Sequence, residues 1–276
     1  MAGPGINDNI EAKKQSSMTV RKQIGASRSV QRTPGIEYNE DPRVEQLVFI
    51  CGLHRCGTSL LEHILVSELD LSCLRMNVSE NEGQHAQSVY SPAFVFGGPG
   101  RFAFSAEMQR ELGALCDYEN HRKAILSDWA SFVVGSSATM IEKSPPNLTK
   151  IWWLRSVFPG ARFIILARDP RAVAGATRKW SKTSLEELMM HWHVAYSAAL
   201  KDFRPDDCIA VKYEDLTANP ESTVDRIAHF LAIGRRPAVL TISDRFKKMS
   251  NSNDEYIAMH GGRTYGRGAW NGFGYV

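Results

Sequence analysis

The chain has no apolar run near the roughly 18–20 residues needed to span a bilayer. Its first residues also lack the apolar stretch of a secretory signal. No two cysteines stand at metal-binding spacing: Cys51, Cys56, Cys73, Cys116 and Cys208 are odd in number and widely scattered. A disulfide framework is not expected in 276 residues, and reduced thiols in a cytoplasmic protein are the simplest reading. A large net charge is missing as well. Lys and Arg number 33 against 30 Asp and Glu, and the resulting +3 is too small to suggest nucleic acid as a bulk partner. Any bound anion must therefore meet positive charge concentrated locally. No carboxylate cluster suggests a metal, and no internal repeat is visible.

What is there is ordinary globular composition, 43% hydrophobic and 23% charged, enough to bury a sizeable core. Residues 1–42 are poor in large apolar side chains, and residues 15–35 are basic, rich in Ser and Gln and free of acids. A flexible tail is expected there, with a faint likeness to an organelle transit peptide. Residues 43–276 are expected to form a single domain.

The run Leu47-Val48-Phe49-Ile50-Cys51 is apolar on both faces, as a buried parallel strand is. A helical pattern follows from Thr58 through Leu61, Ile64 and Leu65. Thr139–Glu142 reads as a second strand, 148–158 as a helix stopped by Pro159-Gly160, and 162–167 as a third strand. Asp169-Pro170 opens another helix, with proline at the tolerated first turn. A long helix over 184–202, a strand over 208–213 and a helix over 220–231 complete the pattern. This alternation predicts an α/β fold: a three-layer sandwich around a central parallel sheet.

Gly52-Leu53-His54-Arg55-Cys56-Gly57-Thr58-Ser59 joins the first strand to its helix. Glycines let such a turn wrap an anion, the unpaired amides of the helix start point at it, and the helix dipole favours negative charge. Arg55 adds a full charge, and Thr58 and Ser59 add hydroxyls. The spacing is that of the nucleotide phosphate loop G-x-x-x-x-G-K-[ST], except that Thr58 replaces the lysine that reaches the outer phosphates of ATP. The loop resembles the 5'-phosphosulfate loop of sulfotransferases that use 3'-phosphoadenosine 5'-phosphosulfate (PAPS), closest to the P-R-S-G-T-[TS] form of the tyrosylprotein and bacterial branch. His54 and Cys56 depart from that form.

A second block carries the same resemblance: Glu142-Lys143-Ser144-Pro145, a helix, Phe158-Pro159-Gly160-Ala161-Arg162-Phe163, a strand, then Arg168-Asp169-Pro170-Arg171. In the family the arginine ending this strand and a serine eight residues later hold the 3'-phosphate of the nucleotide. Arg168 matches the arginine. The serine position is Ala176, with Thr177 or Arg178 as nearby replacements. Tyr213-Glu214-Asp215-Leu216 resembles the family's YEDL block, whose tyrosine lies beside the nucleotide. Arg263 through Phe273 is loosely similar to the loop that closes over it, with Arg263 on its first arginine and Ala269 where an aspartate belongs.

The resemblance implies sulfuryl transfer from PAPS to a hydroxyl acceptor without a metal. Such a transfer rests on in-line positioning and charge stabilisation. Lys143 matches the family lysine on the leaving side, and Arg55 also stands at the reacting end. For the base, Glu82 matches best the family's Glu-Glu-Thr-Arg segment, with Glu80 and His85 as rivals. The expected nucleotide contacts are Arg55, Cys56, Gly57, Thr58, Ser59, Arg168, Thr177, Tyr213 and Arg263. Residues 77–137 are expected to be an acceptor-side insertion, with Phe94, Phe96, Phe102 and Phe104 lining it. A sugar, a phenol and a lipid hydroxyl all fit. His191 and His193, around Trp192, read as packing or acceptor-side residues. Two rival readings remain: a small-metabolite kinase, which would want lysine at Thr58 and magnesium carboxylates, and a sulfonucleotide-binding protein without activity.

Overall fold

The apolar run after Gln46 forms β1 (Gln46–Cys51), with Leu47 through Cys51 all buried. In the computed structural model, which describes residues 30–78, 81–237, 242–245 and 251–275, the chain from Arg32 onward is one unit. After β1 come α1 (Thr58–Glu68) and β2 (Ser72–Leu74). An excursion then carries three short 3₁₀ turns, α2 (Ala106–Ala114) and α3 (Tyr118–Ala130). The chain re-enters the sheet at β3 (Val133–Val134) and β4 (Thr139–Lys143). There follow α4 (Ile151–Val157), β5 (Arg162–Ala167), α5 (Pro170–Arg178), α6 (Leu185–Asp202) and β6 (Cys208–Lys212). Last come α7 (Tyr213–Ala218), α8 (Pro220–Leu231), α9 (Ile242–Arg245) and α10 (Asn253–Ile257).

The sheet runs β3-β2-β4-β1-β5-β6. Every neighbouring pair is parallel except β2 with β3, so the two-residue β3 makes the sheet mixed at one edge. Helices flank this sheet, as the alternating pattern requires. Phe49 pairs with Phe163 in register, and their rings stack at 5.7 Å. Phe158 lies 5.5 Å from Phe49 and stacks on Trp129 at 6.3 Å, extending this aromatic layer to α3. On α6, Trp192 stacks on Tyr196 at 3.9 Å, and the Tyr196 hydroxyl donates to the Leu166 carbonyl at 2.6 Å. Each of these fully buried side chains stabilises the fold by roughly 1.5–3 kcal/mol.

Several observed boundaries differ from the sequence expectation. The helix expected over 148–158 is a 3₁₀ turn at Pro145–Thr149 followed by α4, because Lys150 leaves the helical region at φ −122°. The last strand stops at Lys212, and Tyr213 begins α7. The final residues of the expected 77–137 insertion belong to the sheet, since Val133 and Val134 pair with Leu74 and Cys73. Residues 32–39, inside the expected tail, make contacts with the rest of the unit: Arg32 Nε donates to the Ser131 carbonyl at 2.7 Å, and the Asn39 amide to the Val133 carbonyl at 2.9 Å. Residues 1–29 lie outside the described residues.

Because β1, β4 and β5 are parallel neighbours, their carboxyl ends leave the sheet on the same side. Gly52 follows β1, Lys143 ends β4, and Arg168 follows β5. From β1 the chain crosses to β2 on one side, while β5 lies on the other. Such a reversal opens a crevice at the strand ends where α/β sheets bind ligands.

Candidate active site

The loop after β1 turns back on itself through Arg55 at φ 69° and Gly57 at φ 99°. Glycine is required at 57 for a second reason: a Cβ there would come within 2.6 Å of the Tyr213 ring. Tyr213 thus packs directly on the loop. No side chain caps α1, so its helix start offers first-turn amides toward the crevice. Thr58, in the place of the missing lysine, is buried at 6% exposure. Cys56 faces the opposite way from the crevice. Its Sγ lies 3.6 Å from the Leu166 carbonyl, its amide donates to the Leu53 carbonyl at 3.2 Å, and burial pushes its thiol up to about 12. Its part is to shape the loop. Arg55 is exposed, and its guanidinium stacks 4.4 Å over the ring of Trp180.

Arg168 lies behind this loop at 5% exposure. Its guanidinium covers the Tyr213 ring at 4.4 Å and donates through Nη1 to the Arg55 carbonyl at 2.9 Å. Among the described residues no carboxylate is within ion-pair distance of it; neighbouring Asp169 is taken by Arg171 at 2.7 Å. A buried cation with neutral partners is a costly arrangement that an anionic ligand relieves.

The second cluster forms around the end of β4. Lys143 Nζ lies 3.9 Å from Glu82 Oε1, and His85 Nε2 lies 3.6 Å from Glu82 Oε2. Burial would raise the Glu82 carboxyl, but His85, Lys143, His54 and Gln84 together hold it below its ordinary value. Glu82 is therefore ionised at neutral pH. Its turn is fixed from beneath. The buried Glu142 carboxylate accepts from the Gly83 amide at 2.9 Å, the Ser144 hydroxyl at 2.6 Å and Asn147 Nδ2 at 2.6 Å. Only glycine fits at 83, since a Cβ would meet Trp129 at 2.8 Å and Glu142 at 2.9 Å.

Two aromatic groups surround this cluster. Phe94, 53% exposed, stacks with His85 at 6.3 Å. Phe102 and Phe104 stand edge-on to His191 at 4.9 and 5.5 Å, and His54 stands edge-on to Phe102 at 5.9 Å. His191 Nε2 accepts the Ala103 amide at 3.3 Å, and burial, then the nearby His54, push its pKa down to about 3. Thr177 lines a narrow crevice with His54, Gly100 and His191. His193 instead anchors the C-terminal turn by accepting the Ala269 amide at 2.9 Å.

Among the expected residues, Glu82, His85 and Lys143 come together, as do Arg55, Gly57, Arg168 and Tyr213. Glu80 lies outside the described residues. Arg263 is exposed and engaged elsewhere: its Nε pairs with Glu186 at 3.0 Å and its Nη1 with the His260 carbonyl at 3.0 Å. The C-terminal residues that meet Arg168 are instead Ser252 and Asn253. Neither was foreseen, nor was Glu214, whose carboxylate accepts from the Asp169 amide, Asn253 Nδ2 and the Tyr275 hydroxyl. Among the described residues no group of His, Cys, Asp and Glu is placed to hold a metal, and no helix is long and apolar enough to cross a membrane.

The family model of the sulfotransferase family matches residues 47–236, from β1 through the end of α8. The chain belongs to this family. Protein-tyrosine sulfotransferase 1 of Danio rerio is 28% identical over 222 residues, covering 75% of this chain and 58% of that protein. The Drosophila melanogaster protein-tyrosine sulfotransferase is 27% identical over 207 residues, covering 70% of this chain and 39% of its own. The chain thus spans about half the length of these sulfotransferases. In fold it is similar to the sulfotransferase domain of the Synechococcus PCC 7002 olefin synthase, with a TM-score of 0.50 and 17% identity over 87% of this chain and 98% of that one.

Proposed function

We propose that this chain transfers a sulfuryl group from PAPS to an acceptor hydroxyl. The observation that carries this reading is the buried Lys143–Glu82 pair at the end of β4, beside a phosphate loop and the uncompensated cation of Arg168. A loop turned back through Arg55 and Gly57, with the Arg55 and Arg168 guanidinium groups on its borders, fits a nucleotide bearing separated anionic groups. The loop from Gly52 to Ser59 would hold the 5'-side and Arg168 the 3'-phosphate, with Tyr213 between them. The donor, when bound, supplies the sulfuryl group and the phosphate oxygen it departs from.

This chain's own residues would do the rest. Glu82, ionised and desolvated, accepts the proton of the acceptor hydroxyl through its carboxylate. Lys143 keeps Glu82 ionised and presents an ammonium where charge grows on the leaving side, an interaction strengthened by burial. His85 holds the other Glu82 oxygen. The exposed rings of Phe94 and Phe104 offer a flat apolar approach, and the tyrosine named in the relatives makes a phenol the first acceptor to try.

Titration calorimetry with 3',5'-ADP, in the absence of magnesium, and transfer from labelled PAPS to a tyrosine peptide, a simple phenol and an aliphatic alcohol test the reading together. Binding with turnover is expected. Binding of ATP with magnesium in preference to 3',5'-ADP, or binding without transfer to any acceptor, would overturn it.

A further inference from the structure

Glu82 has a further partner besides Lys143 and His85. Gln84, buried at 2% exposure, donates through Nε2 to Glu82 Oε2 at 2.5 Å and accepts the Ala93 amide on Oε1 at 2.8 Å. These two bonds fix which way the side-chain amide points. A carboxylate only accepts and a backbone N–H only donates, so turning the amide over would set oxygen against oxygen and N–H against N–H. Gln84 is also held at its own backbone: its amide donates to the Ser144 hydroxyl at 3.2 Å, and its carbonyl accepts from Gln87 Nε2 at 3.2 Å.

Between Gln84 and Ala93 the chain is folded back by Gln87, whose Oε1 accepts the Val89 and Tyr90 amides at 2.8 and 2.9 Å. Ala93 is buried and opens the short turn Ala93–Phe96, which carries Phe94 into solvent. The Phe94 ring stacks on His85 at 6.3 Å with 13° between the planes, and His85 Nε2 returns to Glu82 Oε2 at 3.6 Å. Glu82, Gln84, Ala93, Phe94 and His85 thus close a ring in which each member meets the next. One side of that ring is a carboxylate, and the other is an exposed aromatic face.

We infer that Gln84 is a positioning residue that ties the aromatic face at Phe94 to the base at Glu82, so that one side chain sets both where an aromatic acceptor rests and where its proton is received. The inference rests on the proposed reading of Glu82 as the base. Burial raises the Glu82 carboxyl, while His85, Lys143, His54 and Gln84 hold it down; these four face it from its own turn, from β4 and from the phosphate loop. Cutting a hydrogen bond to the ionised form must therefore move the carboxyl upward.

The pH–rate profile with a simple phenol, together with calorimetry of 3',5'-ADP, tests this on the full chain. Gln84→Met keeps the length of the side chain but can neither donate nor accept. Its acid limb should move to higher pH, and the phenol KM should rise about fivefold, as loss of one hydrogen bond does. Its 3',5'-ADP affinity should stay unchanged. Ala93→Pro cuts the same tie from the other side. Proline has no N–H, and its ring is tolerated at the first position of a turn, here after Pro92 at ψ 159°. Its acid limb should also move up although Glu82 and Gln84 are untouched, and the double variant should go no further than Gln84→Met alone. A merely structural role would lower Tm without moving the limb. Wild-type limbs in both variants, a shift in Gln84→Met without one in Ala93→Pro, or an equal loss of 3',5'-ADP binding overturns the inference and leaves the reading of Glu82 standing. If Gln84→Met fails to fold, Ala93→Pro decides alone. If the wild type transfers no sulfuryl group, or Glu82→Gln turns over near normally, that reading falls and the inference falls with it.

Discussion

Lys143 Nζ stands 3.9 Å from Glu82 Oε1 with both side chains almost wholly buried. This closeness couples the two ends of the proposed reaction. The ammonium that would meet the leaving oxygen also holds the base ionised, and His85 at 3.6 Å and His54 act in the same sense on Glu82. A carboxylate held low in this way is ready at any physiological pH, at the cost of being a weak base. The arrangement suits an acceptor that is not hard to deprotonate.

Glu82→Gln keeps the shape of the side chain but cannot take the proton. Turnover should fall roughly 10²–10⁴-fold, with 3',5'-ADP affinity nearly intact. In the wild type the acid limb of the pH–rate profile should lie below the ordinary carboxylate value, because the Glu82 pKa is lowered. Activity is lost as pH falls through that depressed value, and His85→Asn should move the limb upward. A low-pKa phenol should suffer less from Glu82→Gln than an aliphatic alcohol. Near-normal turnover in Glu82→Gln would assign the proton to His85 or another group.

Lys143→Met should lower turnover far more than it weakens nucleotide binding, since its contact grows only as charge develops. It should also raise the acid limb, because Glu82 loses the field of the neighbouring ammonium that holds its pKa down. Steady-state kinetics over pH, with calorimetry for binding, separates the two effects. Equal losses in binding and turnover would make Lys143 an ordinary nucleotide contact.

Much of this was legible in the chain because β1 and β5 are continuous apolar runs, with Gly52 after the first and Pro159-Gly160 before the second, while β4 was read from Thr139-Met140-Ile141-Glu142 ahead of Lys143-Ser144-Pro145. β2 and β3, three and two residues long, are too short to carry a period. α2 and α3 did leave a signal, the caps Ser105 and Asp117, that apolar periodicity does not register. The phosphate loop, Lys143 and Arg168 are local patterns and were readable as such. Ser252 and Asn253 were not, because their partner Arg168 lies more than eighty residues earlier and only the fold joins them. Cys56 illustrates another limit: spacing puts it in the loop, while the close approach to Leu166 decides that it faces inward.

Arg55 lies over the exposed Trp180 ring at 4.4 Å, a contact worth about 0.5–1 kcal/mol at such a site. A charge-assisted phosphate contact is worth about 1.5–3 kcal/mol, so the phosphate wins the guanidinium when both compete. Arg55→Ala should weaken 3',5'-ADP at least tenfold, while Trp180→Ala should leave its affinity within about threefold of wild type or tighten it. Calorimetry on both variants checks this. A large loss in Trp180→Ala would make the indole a nucleotide contact in its own right.

His191 is expected to make the fold acid-sensitive. Burial, then His54, push it down to about 3, and its Nε2 must stay unprotonated to accept the Ala103 amide. In the unfolded chain its pKa returns to about 6.5. As pH falls between these two values the unfolded state binds a proton that the folded state refuses, so stability is full above the unfolded value and drains away below it. At pH 5 the loss amounts to about 2 kcal/mol, or roughly 4–8 °C in Tm for a unit of this size. His191→Gln can still accept the Ala103 amide but has no proton to gain. Its Tm should start lower at pH 7.5, because the ring contacts with Phe102 and Phe104 are lost, yet fall less on going to pH 5. Thermal melts of both proteins at the two pH values measure the difference directly. A variant whose Tm falls as far as the wild type's would show that the destabilising proton binds elsewhere.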